Sequence, residues 1–266
     1  MYQNITYNGS LLYYQSSGQG AAVVLLHGFG EDGSIWGFQK VLEQHFKVLI
    51  PDLPGSGRSQ LIADMSLEGL ADAVHFILKQ EGIETCIMIG HSMGGYITLA
   101  FAEKYDHLLK GFGLFESAAF ADTEEKIATR KKGIAFINEH GAYNFLKTAI
   151  PNLYSPATKQ NNPSLIEQQL EAGRNFSNVA LVAYYEAMIR RPDRTDVLRH
   201  STVPVLFVLG RYDTAVPLET GIAQCHLPQI AYIHVLDNSG HMGMVEEPER
   251  SNTILSEYLS ETFGLL

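Results

Sequence analysis

Short runs of apolar residues bounded by glycine or proline recur along the chain: Ala22–Leu26, Val48–Ile50, Cys86–Ile89, Phe112–Phe115, Val205–Leu209 and Tyr232–Leu236. A run that is apolar at every position suits a strand covered on both faces, as in a parallel sheet. Between the runs lie helix-length segments, Ser34–Gln44, Ser66–Gln80, Ser92–Lys104, Leu218–Cys225 and Glu246–Phe263. Strand alternating with helix predicts an α/β fold, a mostly parallel doubly wound sheet with ligands at the carboxyl ends of its strands. Ahead of the first run, polar and apolar positions alternate about Asn8-Gly9, which predicts an antiparallel hairpin.

The alternation breaks once, over residues 117–202, where no strand pattern occurs but helical patterns do. Asp122 is the expected cap of a run with Glu124 and Glu125 in its first turn, ending at His140-Gly141. Asn162-Pro163 opens a second run, proline being tolerated at the first helical position. Asn178–Arg190 is a third, closed by Pro192. The expected organisation is a core of residues 1–116 and 203–266 with a helical cap, 117–202, inserted as a lid.

The 266 residues carry 29 Asp and Glu against 19 Lys and Arg, a formal charge of −10. That balance repels phosphate backbones and anionic membranes, so neither nucleic acid nor membrane is an expected partner. No apolar run approaches the roughly 20 residues of a membrane helix. The segment from Met1 to Ser10 lacks the charged and apolar regions of a secretory signal. Two cysteines, Cys86 and Cys225, make no disulfide framework, and Cys86 reads as a small buried hydrophobe. The expectation is a soluble cytoplasmic protein; its oligomeric state is not readable.

Gly28-Phe29-Gly30-Glu31-Asp32-Gly33 fits G-x-G-x-x-G between a strand and a helix, and Asp52 lies 19 residues beyond, near where a ribose-binding acid would sit. Against a dinucleotide site, Glu31 and Asp32 set two carboxylates where a pyrophosphate needs amide donors and positive potential.

Gly90-His91-Ser92-Met93-Gly94 matches G-x-S-x-G directly after one predicted strand and before a helix. A serine on so sharp a turn needs small neighbours two residues either side, and Gly90 and Gly94 supply them. The helix it opens aims free N–H groups at developing negative charge. A serine hydroxyl also needs a base, and the base an orienting acid. Strand Val205–Leu209 is followed by Asp213, and strand Tyr232–Leu236 by His241. Both fall at the carboxyl edge that carries Ser92, so Ser92, Asp213 and His241 form the expected triad. Glu116, just after Phe112–Phe115, is kept as an alternative acid, with a lid-entry or substrate-facing role as its other reading. For the oxyanion hole, the expected donors are the Met93 N–H and the Phe29 N–H, with Gly28 and Gly30 allowing close backbone approach. His27 is expected to be a structural hydrogen-bonder.

Together His27–Gly30, Asp52–Ser59, Gly90–Gly94, Asp213 and Ser239-Gly240-His241 resemble the α/β-hydrolase superfamily, in its capped branch of esterases, lactonases and cofactor-free haloperoxidase-like enzymes. The likeness spans the chain apart from the insertion. Asp52 reads as a turn-forming residue. Epoxide hydrolases and haloalkane dehalogenases of that superfamily carry aspartate where Ser92 stands, so Tyr184-Tyr185 is expected to pack rather than to activate an epoxide. No H-E-x-x-H or C-x-x-C is present, and neither metal nor cofactor is expected. Arg130-Lys131-Lys132 is expected on a solvated helix face. Phe120, Phe136, Tyr143, Phe145, Tyr154, Phe176, Tyr184 and Tyr185 divide in an unreadable way between lid packing and an acyl pocket.

The expected activity is hydrolysis of a small carboxylic ester, lactone or thioester, the partner being a small acyl substrate. The same triad serves perhydrolysis, haloperoxidase-like chemistry or C–C cleavage, and the same fold serves slow-turnover small-molecule receptors. Those alternatives stay open on sequence alone.

Overall fold

A computed structural model of the chain describes residues 2–265. The hairpin forms as the Asn-Gly pair predicts: β1 (Tyr2–Tyr7) and β2 (Ser10–Ser17) run antiparallel, with Tyr7 opposite Ser10. Asn8 and Gly9 take φ of +49° and +88°, the paired left-handed conformation of a two-residue turn matched to strand twist. The remaining strands are β3 (Ala22–Leu26), β4 (Lys47–Pro51), β5 (Cys86–His91), β6 (Leu109–Phe115), β7 (Val205–Gly210) and β8 (Ala231–Leu236). They join one eight-stranded sheet in the order β1-β2-β4-β3-β5-β6-β7-β8, parallel from β4 onward.

Register sets the site. Leu26 pairs with Gly90, His91 with Phe115, Phe115 with Val208, and Gly210 with Leu236. Each strand therefore ends level with its neighbour, and the loops holding Phe29, Ser92, Glu116, Asp213 and His241 emerge along one edge. The central strands β3, β5 and β7 are buried throughout, as continuous apolar runs predict. Strand β8 departs from that pattern: it is the last strand, and Ile233 is 51% exposed because no layer covers its outer face.

Helices α1 (Leu67–Gln80) and α2 (Met93–Tyr105) pack against each other and the sheet. Ser66 caps α1 by accepting the Gly69 N–H at 3.1 Å. All regular structure between β6 and β7 is helical: α3 (Glu124–His140), α4 (Ala142–Ala149), α5 (Pro156–Asn161), α6 (Pro163–Ala172), α7 (Asn178–Arg190) and α8 (Thr195–Arg199), with one 3-10 turn. The last helices are α9 (Leu218–Ile222), α10 (Gly243–Glu246) and α11 (Pro248–Thr262).

Several sequence expectations need correction. The first predicted helix is a 3-10 stretch, Gly33–Gln44, kinked at Trp36. The segment from Leu218 is helical only to Ile222. The predicted Glu246–Phe263 helix is two, because Pro248 has no N–H to continue the ladder and serves as the first residue of α11. Thr123, not Asp122, caps α3, accepting the Lys126 N–H. The Asp122 carboxylate is buried between Arg130 (2.5 Å) and Arg191 (2.8 Å). Arg130 consequently leaves the solvated face, whereas Lys131 and Lys132 stay on it.

Candidate active site

The turn from β5 into α2 holds Ser92 at φ +50°, a conformation that costs a non-glycine residue energy and persists only where neighbours enforce it. Here the Ser92 N–H donates to the Phe115 carbonyl at 3.0 Å, and Ser117 Oγ donates to the Ser92 carbonyl at 2.7 Å. A Cβ on Gly90 would lie 2.2 Å from the Gly94 carbonyl oxygen, and one on Gly94 would lie 2.5 Å from that of Leu26. Both positions must be glycine for the turn to close against the loop that follows β3.

That loop, residues 27–33, lies across the first turn of α2. His27 accepts the Leu53 N–H at Nε2 (2.9 Å) and donates from Nδ1 to the Gly28 carbonyl (2.9 Å), tying this loop to the segment after β4. Asp52 accepts the N–H groups of Gly33 and Arg58, a turn-closing role. The Phe29 ring stacks on Tyr185 at 4.3 Å and 16°. Tyr184, fully buried, donates to the Pro54 carbonyl at 2.7 Å, fastening α7 to the loop after β4. The tyrosine pair thus packs the insertion onto the core.

His241 Nδ1 lies 2.7 Å from Asp213 Oδ2, both side chains buried. The other Asp213 oxygen accepts the Ala215 and Val216 N–H groups, each at 2.8 Å. These bonds fix the plane of the carboxylate, which in turn fixes the imidazole. The His241 N–H donates to the Leu153 carbonyl at 2.6 Å, a contact from the insertion that sequence reasoning did not find.

Glu116 does not take the place kept for it as an alternative acid, because His241 Nδ1 is already bonded to Asp213. Nor does it face substrate: it is fully buried, its oxygens accepting the Gly243 N–H at 3.0 and 3.1 Å. Burial raises its carboxyl to about 7, with nearby Asp213 adding to the rise and His91 and His241 opposing it. Beside it, His91 Nδ1 lies 3.0 Å from Glu31 Oε2, and Nε2 lies 2.8 Å from the His241 carbonyl. On sequence, His91 has no assigned role and Glu31 stands only as an obstacle to phosphate. Glu31 in fact accepts the Gly28 N–H at 2.7 Å, occupying an amide that a pyrophosphate would need.

His91, Glu116 and His241 bring potential ligand atoms within 4.8 Å of one another. His91 Nε2 is bonded to the His241 carbonyl, Glu116 to the Gly243 N–H and His241 Nδ1 to Asp213, so the cluster reads as a hydrogen-bond network. A cleft of about 880 Å³ is lined by Gly30, Glu31 and Arg58 of the core and by Phe176 and Ala180 of the insertion. Its lining does not include Ser92 or His241. Among the described residues no helix is long and apolar enough to cross a membrane.

Residues 23–252 match the model of the alpha/beta hydrolase family. A pimeloyl-[acyl-carrier protein] methyl ester esterase of Vibrio cholerae is 29% identical over 245 residues, covering 90% of this chain and 94% of that protein. A thermophilic esterase of Thermogutta terrifontis, solved with malate bound, superposes with a TM-score of 0.92 at 29% identity, over 98% of this chain and 99% of that one. The enol-lactonase of Burkholderia xenovorans shares the fold, with a TM-score of 0.89 at 21% identity over 97% and 100% of the two chains.

Proposed function

The chain belongs to the alpha/beta hydrolase family, and on that premise we propose that it is a serine hydrolase of small carboxylic esters, lactones or thioesters. One observation carries the reading: an Asp213–His241 pair bonded at 2.7 Å on the sheet edge that presents Ser92 on its strained turn. In the proposed reaction, Ser92 Oγ attacks the acyl carbon as His241 Nε2 takes its proton. Asp213 holds the imidazole with Nδ1 protonated and stabilises the imidazolium. The Phe29 and Met93 N–H groups receive the oxyanion, aided by the amino end of α2. His241 returns the proton to the leaving group, and water then releases the acid by the same steps in reversed roles.

The esterase names of the Vibrio and Thermogutta relatives support the choice of ester chemistry among the reactions this triad can serve. The two free cysteines are both buried, which suits a reducing compartment, and we place the enzyme in the cytoplasm.

The test is a time course of p-nitrophenol release from p-nitrophenyl acetate and octanoate, with Ser92→Ala beside the wild type. The expected result is a burst followed by steady turnover, both lost in Ser92→Ala, with the preferred chain length reporting the pocket. Equal rates in the variant would remove Ser92 from the mechanism. A single burst without turnover would show a trapped acyl-enzyme and favour another acyl acceptor or a receptor.

A further inference from the structure

Glu31, His91 and Glu116 lie beneath the triad, at 6%, 0% and 0% exposure, and take no step in the reaction above. Ionisable groups this deep are unfavourable unless each is paired and hydrogen-bonded. Here every bond ends on a loop that carries chemistry. Glu31 accepts the Gly28 N–H, one residue from the proposed Phe29 donor. His91 is the chain neighbour of Ser92, and its Nε2 bonds to the backbone carbonyl of His241. Glu116 holds the Gly243 N–H, two residues past His241, and lies 3.6 Å from His91 Nε2.

Both ring nitrogens of His91 face oxygen acceptors, so both carry protons and the ring is an imidazolium. Burial works against that charge, but the Glu31 and Glu116 carboxylates outweigh it and raise the group to about 10. Glu31 is pulled below the usual carboxylate range by the His91 cation, against its own burial. The packing leaves no slack: a Cβ on Gly28 would lie 2.9 Å from His91 Nδ1 and 3.0 Å from Glu31 Oε2.

We propose that Glu31, His91 and Glu116 form a positioning relay, in which one buried imidazolium holds the oxyanion loop, the Ser92 turn and the His241 loop in register for acyl transfer. The proposal rests on the reading of Ser92 as nucleophile and His241 as base. None of the three touches substrate. Each acts through a neighbour whose placement sets the rate, and a misplacement of about 1 Å in such a constellation costs on the order of a hundredfold.

The test uses diethyl p-nitrophenyl phosphate, which needs no knowledge of the natural substrate. Ser92 Oγ forms a bond to phosphorus, p-nitrophenolate leaves, and His241 takes the serine proton. The release trace resolves a phosphylation rate constant and an apparent affinity. An amide at position 91 separates the two arms of the relay: His91→Asn places a donor near Nδ1, toward Glu31, and His91→Gln places one near Nε2, toward the His241 carbonyl. Each is expected to lower the phosphylation constant about a hundredfold, with apparent affinity within about twofold. Glu31→Gln, which keeps an acceptor for Gly28, should lose only about tenfold.

Folded His91 variants that phosphylate within twofold of wild type would overturn the relay. So would rate and affinity that fall together in proportion to lost folded fraction. Should the His91 variants fail to fold, Glu31→Gln and Glu116→Gln decide the matter: a tenfold slower rate at full folded fraction supports the relay, and an unchanged rate overturns it. A wild type that releases no p-nitrophenol, or a Ser92→Ala that releases as much, would instead overturn the nucleophile assignment on which the relay stands.

Discussion

Two buried clusters of three ionisable side chains divide this molecule. In the core, two carboxylates enclose one cation, Glu31–His91–Glu116. In the helical insertion, two cations enclose one carboxylate, Arg130–Asp122–Arg191. Their partners differ as well as their signs. The core cluster bonds to backbone, to the N–H groups of Gly28 and Gly243 and the carbonyl of His241. The insertion cluster also reaches backbone, Arg191 donating to the Met188 and Phe120 carbonyls at 3.0 Å each, but only within residues 117–202. It bears besides on aromatic faces, with the Arg191 guanidinium 3.9 Å from the Tyr96 ring and that of Arg130 5.5 Å from the Tyr185 ring. The core bonds set where the loops beside Ser92 and His241 lie. The insertion bonds hold the insertion's own segments and orient its aromatic plates, and Tyr185 is the plate stacked on Phe29. The difference teaches that the core network constrains the site directly, whereas the insertion network acts on it through packed surfaces.

The comparison breaks most visibly at Asp122. Asp122→Ala leaves Arg130 and Arg191 facing each other without their carboxylate, and removing one partner of a buried ion pair costs about 3–5 kcal/mol. Urea unfolding should show that loss at neutral pH. A loss under about 1 kcal/mol would mean that the two guanidinium groups are solvated in place.

The core cluster is distinguished by how it answers to pH. A folded-state pKa of Glu116 raised to about 7 means that the folded protein holds that proton more tightly than the unfolded chain does. Its stabilising contribution is complete below about pH 4.5 and is lost as pH rises through 7. Wild type should therefore lose stability relative to Glu116→Gln between pH 4.5 and 8, by on the order of 3 kcal/mol. The urea midpoints of the two proteins at both pH values measure it, and a constant gap would show Glu116 ionised throughout. His91 adds a second decline of the same sign toward pH 10, as its imidazolium deprotonates.

The smallest effect sharpens the link between the two regions. Tyr184→Phe removes the hydroxyl that donates to the Pro54 carbonyl and meets Ser56 Oγ at 2.9 Å. It should cost about 1 kcal/mol in unfolding free energy, the net value of one buried hydrogen bond with the ring retained. Proteolysis within residues 117–202 should quicken in step, and unchanged cleavage would mean that the stacked rings alone hold the insertion down.

Much of this was legible in the sequence because it is local. The continuous apolar runs, the Asn8-Gly9 turn and the glycines about Ser92 are each dictated by neighbours within a few positions. Order along the chain then brings Ser92, Asp213 and His241 to one edge once parallel strands are granted. Where reading failed, the cause was distance along the chain. Asp122 looks like a cap beside a helix start, but its partner Arg191 lies 69 positions on. Leu236 ends an apolar run like the others, yet only topology makes its strand an edge.

What the sequence determined by itself is the architecture and the chemistry-bearing residue types, since local patterning selects strand, helix and turn. What only the tertiary structure decided is the state of each ionisable group. Asp213 rather than Glu116 meets His241, and His91, with no role assigned on sequence, becomes a doubly bonded cation. Protonation and pairing depend on burial and on partners within a few ångströms, and those partners come from segments 60 and 150 positions away along the chain.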